Sequence, residues 1–244
     1  MATAPRRFFV VHLQKTAGTA LRDRLRSSFG EEAIYPNWSD GDRLRHLAIS
    51  LSNLRERGQA RRNELRVIAA HLPLSTVELL DADFVTLSVL RPPVERTISY
   101  LRHQKQLNEK DRRWTLEEIY DDPFRFHGLI RNHMTRMFSI GAEEMIAGDG
   151  VLTHTPDTTE RLERAKEGVA SLDAFGLQPR FEEFCEEIAA RFDLDLGSAR
   201  RSNVTRYDET PPSSLVKRIE QDNAFDMDLY DYAERLAARR NATR

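Results

Sequence analysis

The sequence predicts an α/β domain of three layers, a central parallel sheet flanked by helices. Three short apolar runs carry that prediction: Phe8–Val11, Leu65–Ala70 and Phe84–Leu90. Each has the length and residue types of a strand buried on both faces, without the alternation of a half-solvated one. The runs stop at His12, at His71-Leu72-Pro73 and at Arg91-Pro92-Pro93. Polar residues at the carboxyl ends of parallel strands stand on the edge where such sheets bind ligands.

The first run leads into Lys15-Thr16-Ala17-Gly18-Thr19 and then a helix with Leu21 and Leu25 on one face. A strand, a turn of small residues and a helix aim backbone N–H groups and a helix N-terminus at a phosphate. Lys15 adds a full positive charge there, and Thr16 and Thr19 can donate hydroxyl hydrogen bonds. The spacing is not the GxxxxGK[ST] of nucleoside-triphosphate loops, because the lysine precedes the glycine. Read alone, the stretch also fits an ordinary βα turn.

Gly30 is expected to end this first helix. Residues 31–63 are polar, with Pro36, Trp38 and Gly41 in a loop, then a helix over 43–57 whose Leu44, Leu47, Leu51 and Leu54 recur at helical steps. In the second run Pro73 stops strand pairing and leaves His71 at a carboxyl end. An imidazole there can take a proton from a hydroxyl near neutral pH. A structural histidine at a strand end is the plainer alternative. The third run passes through Arg91 into a helix that two prolines are suited to start. Arg91 offers a planar fork of donors for phosphate, and Ser99 follows about two helical turns on.

Lys15–Thr19 resembles the 5′-phosphosulfate loop of sulfotransferases, a PKTAGT-like turn, with Gln14 where many members have proline. Leu90–Tyr100 resembles their 3′-phosphate motif, LRxPxxRxxSxY, nearly residue for residue. Shorter islands agree. Ala70-His71-Leu72-Pro73 is similar to the strand-GHxP segment of heparan-sulfate 2-O-sulfotransferase-like enzymes, with Ala70 in place of the glycine. Asn132–Arg136 resembles their NxxTR segment, and Phe175–Leu177 with Arg180–Phe184 their GLTERFEESL turn. Arg200–Thr205 resembles the KxNVT loop, and Asp228–Ala233 the xDxxLYxxA tail.

The chain therefore resembles a sulfotransferase of the heparan-sulfate 2-O or type-2 carbohydrate family, in islands spread over nearly its whole length. That resemblance implies a single P-loop-like sulfotransferase domain over 1–244. It implies 3′-phosphoadenosine 5′-phosphosulfate (PAPS) as donor, adenosine 3′,5′-bisphosphate (PAP) as product, no required metal, and an acceptor hydroxyl on a carbohydrate or glycosylated metabolite. Lys15, Thr16, Ala17, Gly18 and Thr19 would surround the 5′-phosphosulfate. Arg91 and Ser99 would hold the 3′-phosphate, and Arg201, Asn203 and Thr205 would lie over the nucleotide. Lys15 and His71 would be catalytic, the histidine as base. Arg96 is expected to make a salt bridge on the helix surface.

Composition bounds these readings. The 244 residues suffice for one α/β domain or at most two small ones. With 37 basic against 39 acidic residues the formal charge is −2, which argues against a general nucleic-acid or membrane-surface binder. One cysteine, Cys185, builds neither a disulfide framework nor a cysteine zinc site. Its helical spacing with Phe181, Phe184, Ile188 and Phe192 marks it as a small buried hydrophobe. Arg6 and Arg7 precede a run too short for a signal peptide, and no segment is long enough to span a membrane. The expectation is a soluble, cytoplasmic protein, of bacterial type if the resemblance holds.

Between His103 and Phe126 the charged stretch around Arg112, Arg113 and Trp114 reads as a solvated face or as a contact for an acidic acceptor. Residues 141–157 read as a polar loop, followed by a helix from Thr158 to Ala170. Two other functions fit part of the pattern. A P-loop kinase or NTPase shares the anion-binding turn, but would need a lysine after the last glycine and a carboxylate for Mg²⁺. A nucleotide-binding protein of the same fold without turnover is the other.

Overall fold

A computed structural model of the protein describes residues 6–37, 40, 50–61, 63–149, 155–197 and 208–242. In chain order the principal elements are β1 (Phe8–Val11), α1 (Gly18–Phe29), β2 (Ile34–Tyr35), α2 (Leu51–Ala60), β3 (Val67–Ala70) and β4 (Val85–Leu90). Next come α3 (Pro93–Leu107), α4 (Leu116–Tyr120), α5 (His133–Ser139), α6 (Ala142–Gly148) and α7 (Thr159–Ser171). The described chain closes with β5 (Ala174–Leu177), α8 (Phe181–Phe192), α9 (Ser213–Asp222) and α10 (Ala224–Ala242).

Five strands form one sheet in the order β2-β3-β1-β4-β5, and every pair is parallel. The three apolar runs are the three central strands, within two residues of the expected ends. Because successive side chains alternate in direction, Phe8 and Val10 face one side and Phe9 and Val11 the other. The first pair joins a core with Leu21 and Leu25 of α1 and Phe184, Cys185 and Ile188 of α8. The second pair joins Leu51 and Leu54 of α2, Met134 and Met137 of α5, Val169 of α7 and Leu229 of α10. A smaller apolar cluster ties α3, α4 and α9 together through Tyr100, Ile119 and Leu215.

Gly30 ends α1 as expected, with φ 81° and its N–H bonded to Arg26 O at 2.8 Å. The two residues of β2 fall in a stretch too polar and too short to show as a strand. Residues 141–157 differ from the expected loop. Residues 142–148 are helical, since Glu144 accepts from Gly141 N at 3.0 Å and pairs with Arg161 at 2.7 Å while Met145 is buried. Of the helix expected over 43–57, Leu51 and Leu54 are buried in α2; Leu44 and Leu47, with Trp38 and Gly41, lie outside the described residues. No helix among the described residues is long and apolar enough to cross a membrane.

Arg96 is a correction. Far from making a surface salt bridge, it is fully buried, donating from Nη1 to Leu129 O (3.2 Å) and from Nη2 to Ile130 O (2.8 Å). Buried Asp226 supplies its main opposing charge. That aspartate accepts from Met134 N, Thr135 N and Thr135 Oγ1 at 3.0, 2.7 and 2.8 Å. Asn132 reaches the first turn of α10 in the same way, accepting from Phe225 N at 3.1 Å and Asp226 N at 3.2 Å. The NxxTR island therefore fastens α5 to α10.

Candidate functional site

The chain runs from β1 outward to β2, returns to β3 beside β1, and then crosses to β4 on the other side. The order reverses at β1, and the crevice at that reversal is where open α/β sheets take ligands. Three neighbouring carboxyl ends meet there: His71 after β3, the 12–19 turn after β1, and Arg91 after β4. Parallel neighbours lie about 4.8 Å apart, so His71 and Arg91 each reach the turn that lies between them.

The turn is shaped by two left-handed residues, Lys15 (φ 65°) and Ala17 (φ 76°). Non-glycine residues in this region cost about 1–3 kcal/mol each. Left-handed residues flanking Thr16 curl the main chain so that its N–H groups turn into a concave loop. Ala17 then begins α1, whose first turn no side chain caps. The orphan N–H groups of Gly18, Thr19 and Ala20 therefore remain for an anion. Thr19 stands half-buried in that first turn. Thr16 differs from expectation: its buried hydroxyl donates inward to Leu13 O at 3.0 Å, which leaves only its N–H for a ligand.

Arg91 Nη1 donates to Lys15 O at 3.1 Å, locking the two turns together across β1 and β4. Among the described residues Lys15 has no ion pair, and Arg91 Nε is buried without an acceptor. Burial, and then repulsion from Arg91, lower the Lys15 ammonium from 10.5 to about 8. Burial likewise pulls Arg91 below its ordinary value, opposed by Glu95. Ser99 is half-buried on α3, about 9 Å along the axis from Pro93 at 1.5 Å per residue, and the structure does not join it to Arg91.

On the other side of β1, His71 Nδ1 lies 2.6 Å from the carbonyl oxygen of His12. A carbonyl only accepts, so the neutral ring must carry its proton on Nδ1 and its lone pair on Nε2. The His12 and His71 rings stack with centroids 4.3 Å apart at 40°. Burial lowers His71, with Arg22 adding to the effect and the bond to His12 opposing it. For His12 burial, then His71 and Arg22, push the value well below 6.5. Fully buried His133 at the start of α5 is also held neutral, by burial first and then by Arg96, Arg136 and His71.

Arg22, His12 and His133 were not singled out from sequence. Arg22 had a signal: it follows Gly18 by four residues, so it shares the helix face that looks onto the turn. Its Nε is buried without an acceptor, and burial lowers its value. His12 also had one, as a polar residue ending a fully apolar strand. Arg112 and Arg113 are exposed, as a solvated face would be. Arg201, Asn203 and Thr205 lie outside the described residues. Among the described residues no three histidine, cysteine, aspartate or glutamate side chains gather as a metal site.

The site thus combines an uncapped turn with two left-handed residues, three half-buried cations and a neutral imidazole whose proton position is set. In comparisons with known proteins the chain matches no family model, and no curated protein matches it significantly.

Proposed function

We propose that the protein is a PAPS-dependent sulfotransferase with the P-loop-like fold of that class, acting on the hydroxyl of a carbohydrate or glycosylated small molecule. The observation that carries the reading is the junction of Lys15 and Arg91 at the β1/β4 crevice. Two cations are held together there, Lys15 without an ion pair among the described residues and Arg91 opposed by Glu95, beside a histidine able to accept a proton. The residues suit the donor. Curled N–H groups and an uncapped helix start fit its 5′-phosphosulfate, and the half-buried guanidinium of Arg91 fits its 3′-phosphate.

His71 Nε2 takes the proton of the acceptor hydroxyl as its oxygen bonds to sulfur. The bond from sulfur to the 5′-phosphate oxygen breaks in line. Negative charge collects on that leaving oxygen, where Lys15 and the N–H groups of the turn stabilise it. Arg91 fixes the far end of the nucleotide and so aligns the reacting atoms. Ser99, Arg201, Asn203 and Thr205 complete the nucleotide contacts in this reading. It also carries forward the cytoplasmic location.

Calorimetric titration with PAP and, separately, with Mg-ATP tests donor class. The expected result is PAP binding that Lys15→Ala and Arg91→Ala each abolish; preferential binding of Mg-ATP would overturn the assignment. Transfer of labelled sulfate from PAPS to a glycan panel tests turnover. Binding of PAP without transfer to any acceptor would leave a nucleotide-binding protein in place of an enzyme.

A further inference from the structure

His12 follows β1 at the start of the turn, and its ring lies against Gly18 of α1. Its ring fills a slot with two walls. One wall is Gly18: a Cβ there would lie 2.0 Å from His12 Cδ2 and 2.5 Å from Nε2, closer than atoms approach. Gly18 has no positive φ, so a backbone conformation reserved for glycine is not the reason for it. The reason is room for the His12 ring. The other wall is the His71 ring, stacked at 4.3 Å. Below both, His12 N bonds to Ala70 O at 3.3 Å and its own carbonyl receives His71 Nδ1 at 2.6 Å. One residue thus touches the neighbouring histidine twice, through its main chain and through its ring.

We infer that His12 is a positioning residue for His71: it holds the ring in place and fixes the proton on Nδ1, so that Nε2 presents the lone pair. Free histidine favours the other neutral tautomer, so a bond to Nδ1 is required to reverse the preference. The ring of His12 keeps that bond in plane by pressing His71 against its carbonyl. The groups facing His71 are His12 from β1, Arg22 from α1 and His133 from α5. None of these is an anion that could hold His71 protonated, and burial keeps His12 itself from adding a second charge to the stack. The proton position stands on geometry alone, whereas its use in removing an acceptor proton rests on the sulfotransferase reading.

Long-range ¹H–¹⁵N spectra of the ligand-free protein, with histidine rings labelled, read the tautomer directly. His71 in the unaltered chain is expected as the Nδ1–H form, with a midpoint below 6.5. An Nε2–H form would overturn the inference. His12→Ala opens the slot; His71 should then shift toward the Nε2–H form and titrate nearer 6.5, and an unchanged His71 signal would refute a role for the ring. His12→Phe keeps a ring between Gly18 and His71 and should retain the Nδ1–H form. If His12→Ala does not fold, Gly18→Ala, which evicts the ring by collision, must give the same shift. A correct tautomer in a protein without sulfate transfer would sink the reaction and spare this inference. Transfer that depends on His71 in its Nε2–H form would do the reverse.

Discussion

Removing the charge of Lys15 should stabilise the ligand-free protein while destroying its capacity to bind. Burial and Arg91 lower the ammonium from 10.5 to about 8, which corresponds to roughly 3 kcal/mol at about 1.4 kcal/mol per pH unit. The side chain is still partly open to water, and screening reduces this to about 1–2 kcal/mol. Lys15→Met keeps the length and removes the charge. At pH 7 the variant should gain that amount in urea unfolding, and Tm should rise by about 2–4 °C per kcal/mol for a domain of this size. The sign with pH follows from linkage. Below about 8 the lysine is charged in both states and the folded state bears the penalty. Between about 8 and 10.5 the unfolded chain holds more proton, so the stability of the unaltered protein climbs with pH and the advantage of the variant shrinks to nothing. Calorimetry of the same variant should show no PAP binding. A variant less stable at pH 7, an advantage that persists above 10.5, or undiminished PAP affinity would each refute the reasoning.

Three other outcomes follow from particular side chains. His71→Asn should lower turnover about 10²–10⁴-fold with little change in PAP affinity. Because burial and Arg22 hold His71 below 6.5, the proposed transfer should keep a level rate through neutral pH and slow only in more acid solution. Arg96→Met should cost about 3–5 kcal/mol in chemical denaturation, since it strands Asp226 and the carbonyls of Leu129 and Ile130. Cys185, buried with its thiol pushed up to about 12, should resist aromatic disulfide reagents in the native protein and react on unfolding.

The central strands were legible because burial on both faces leaves an unbroken apolar run, as in Phe8–Val11. β2 was not, because two residues carry no period. The turn at Lys15 and the arginine at the end of β4 were legible as strand-end chemistry, and the sheet does bring them together. Arg96 misled because spacing on α3 cannot tell a solvent-facing arginine from one turned toward the carbonyls of Leu129 and Ile130, which lie more than thirty positions away. Thr16 misled for a similar reason: a hydroxyl in a tight turn finds a carbonyl three residues back before it finds a ligand. His12 and Arg22 stayed hidden because their importance arises from contact with His71, on a strand fifty or more residues later.

The cations inside the fold differ in their partners, and the difference at Lys15 bears on what the crevice is for. Arg96 spends both terminal nitrogens on carbonyls and has Asp226 nearby, while Arg136 sits close to Asp157 and Asp226. Those charges are compensated from within and belong to the architecture. Lys15, Arg91 and Arg22 are half-buried; Lys15 has no opposing charge among the described residues, whereas Glu95 opposes Arg91 and Asp23 and Glu31 oppose Arg22, and both arginines keep an Nε without an acceptor, as Arg96 also does. The same turn carries two strained left-handed residues. With Lys15 held beside Arg91 and without an opposing charge among the described residues, a polyanion in the turn would offset a repulsion that the chain leaves standing. Ligand binding then stabilises the fold by mass action, and the cost of assembling the crevice is offset only when both the Lys15 turn and Arg91 are engaged. A ligand with one anionic end, such as inorganic sulfate, should therefore raise Tm far less at saturation than PAP, which reaches both.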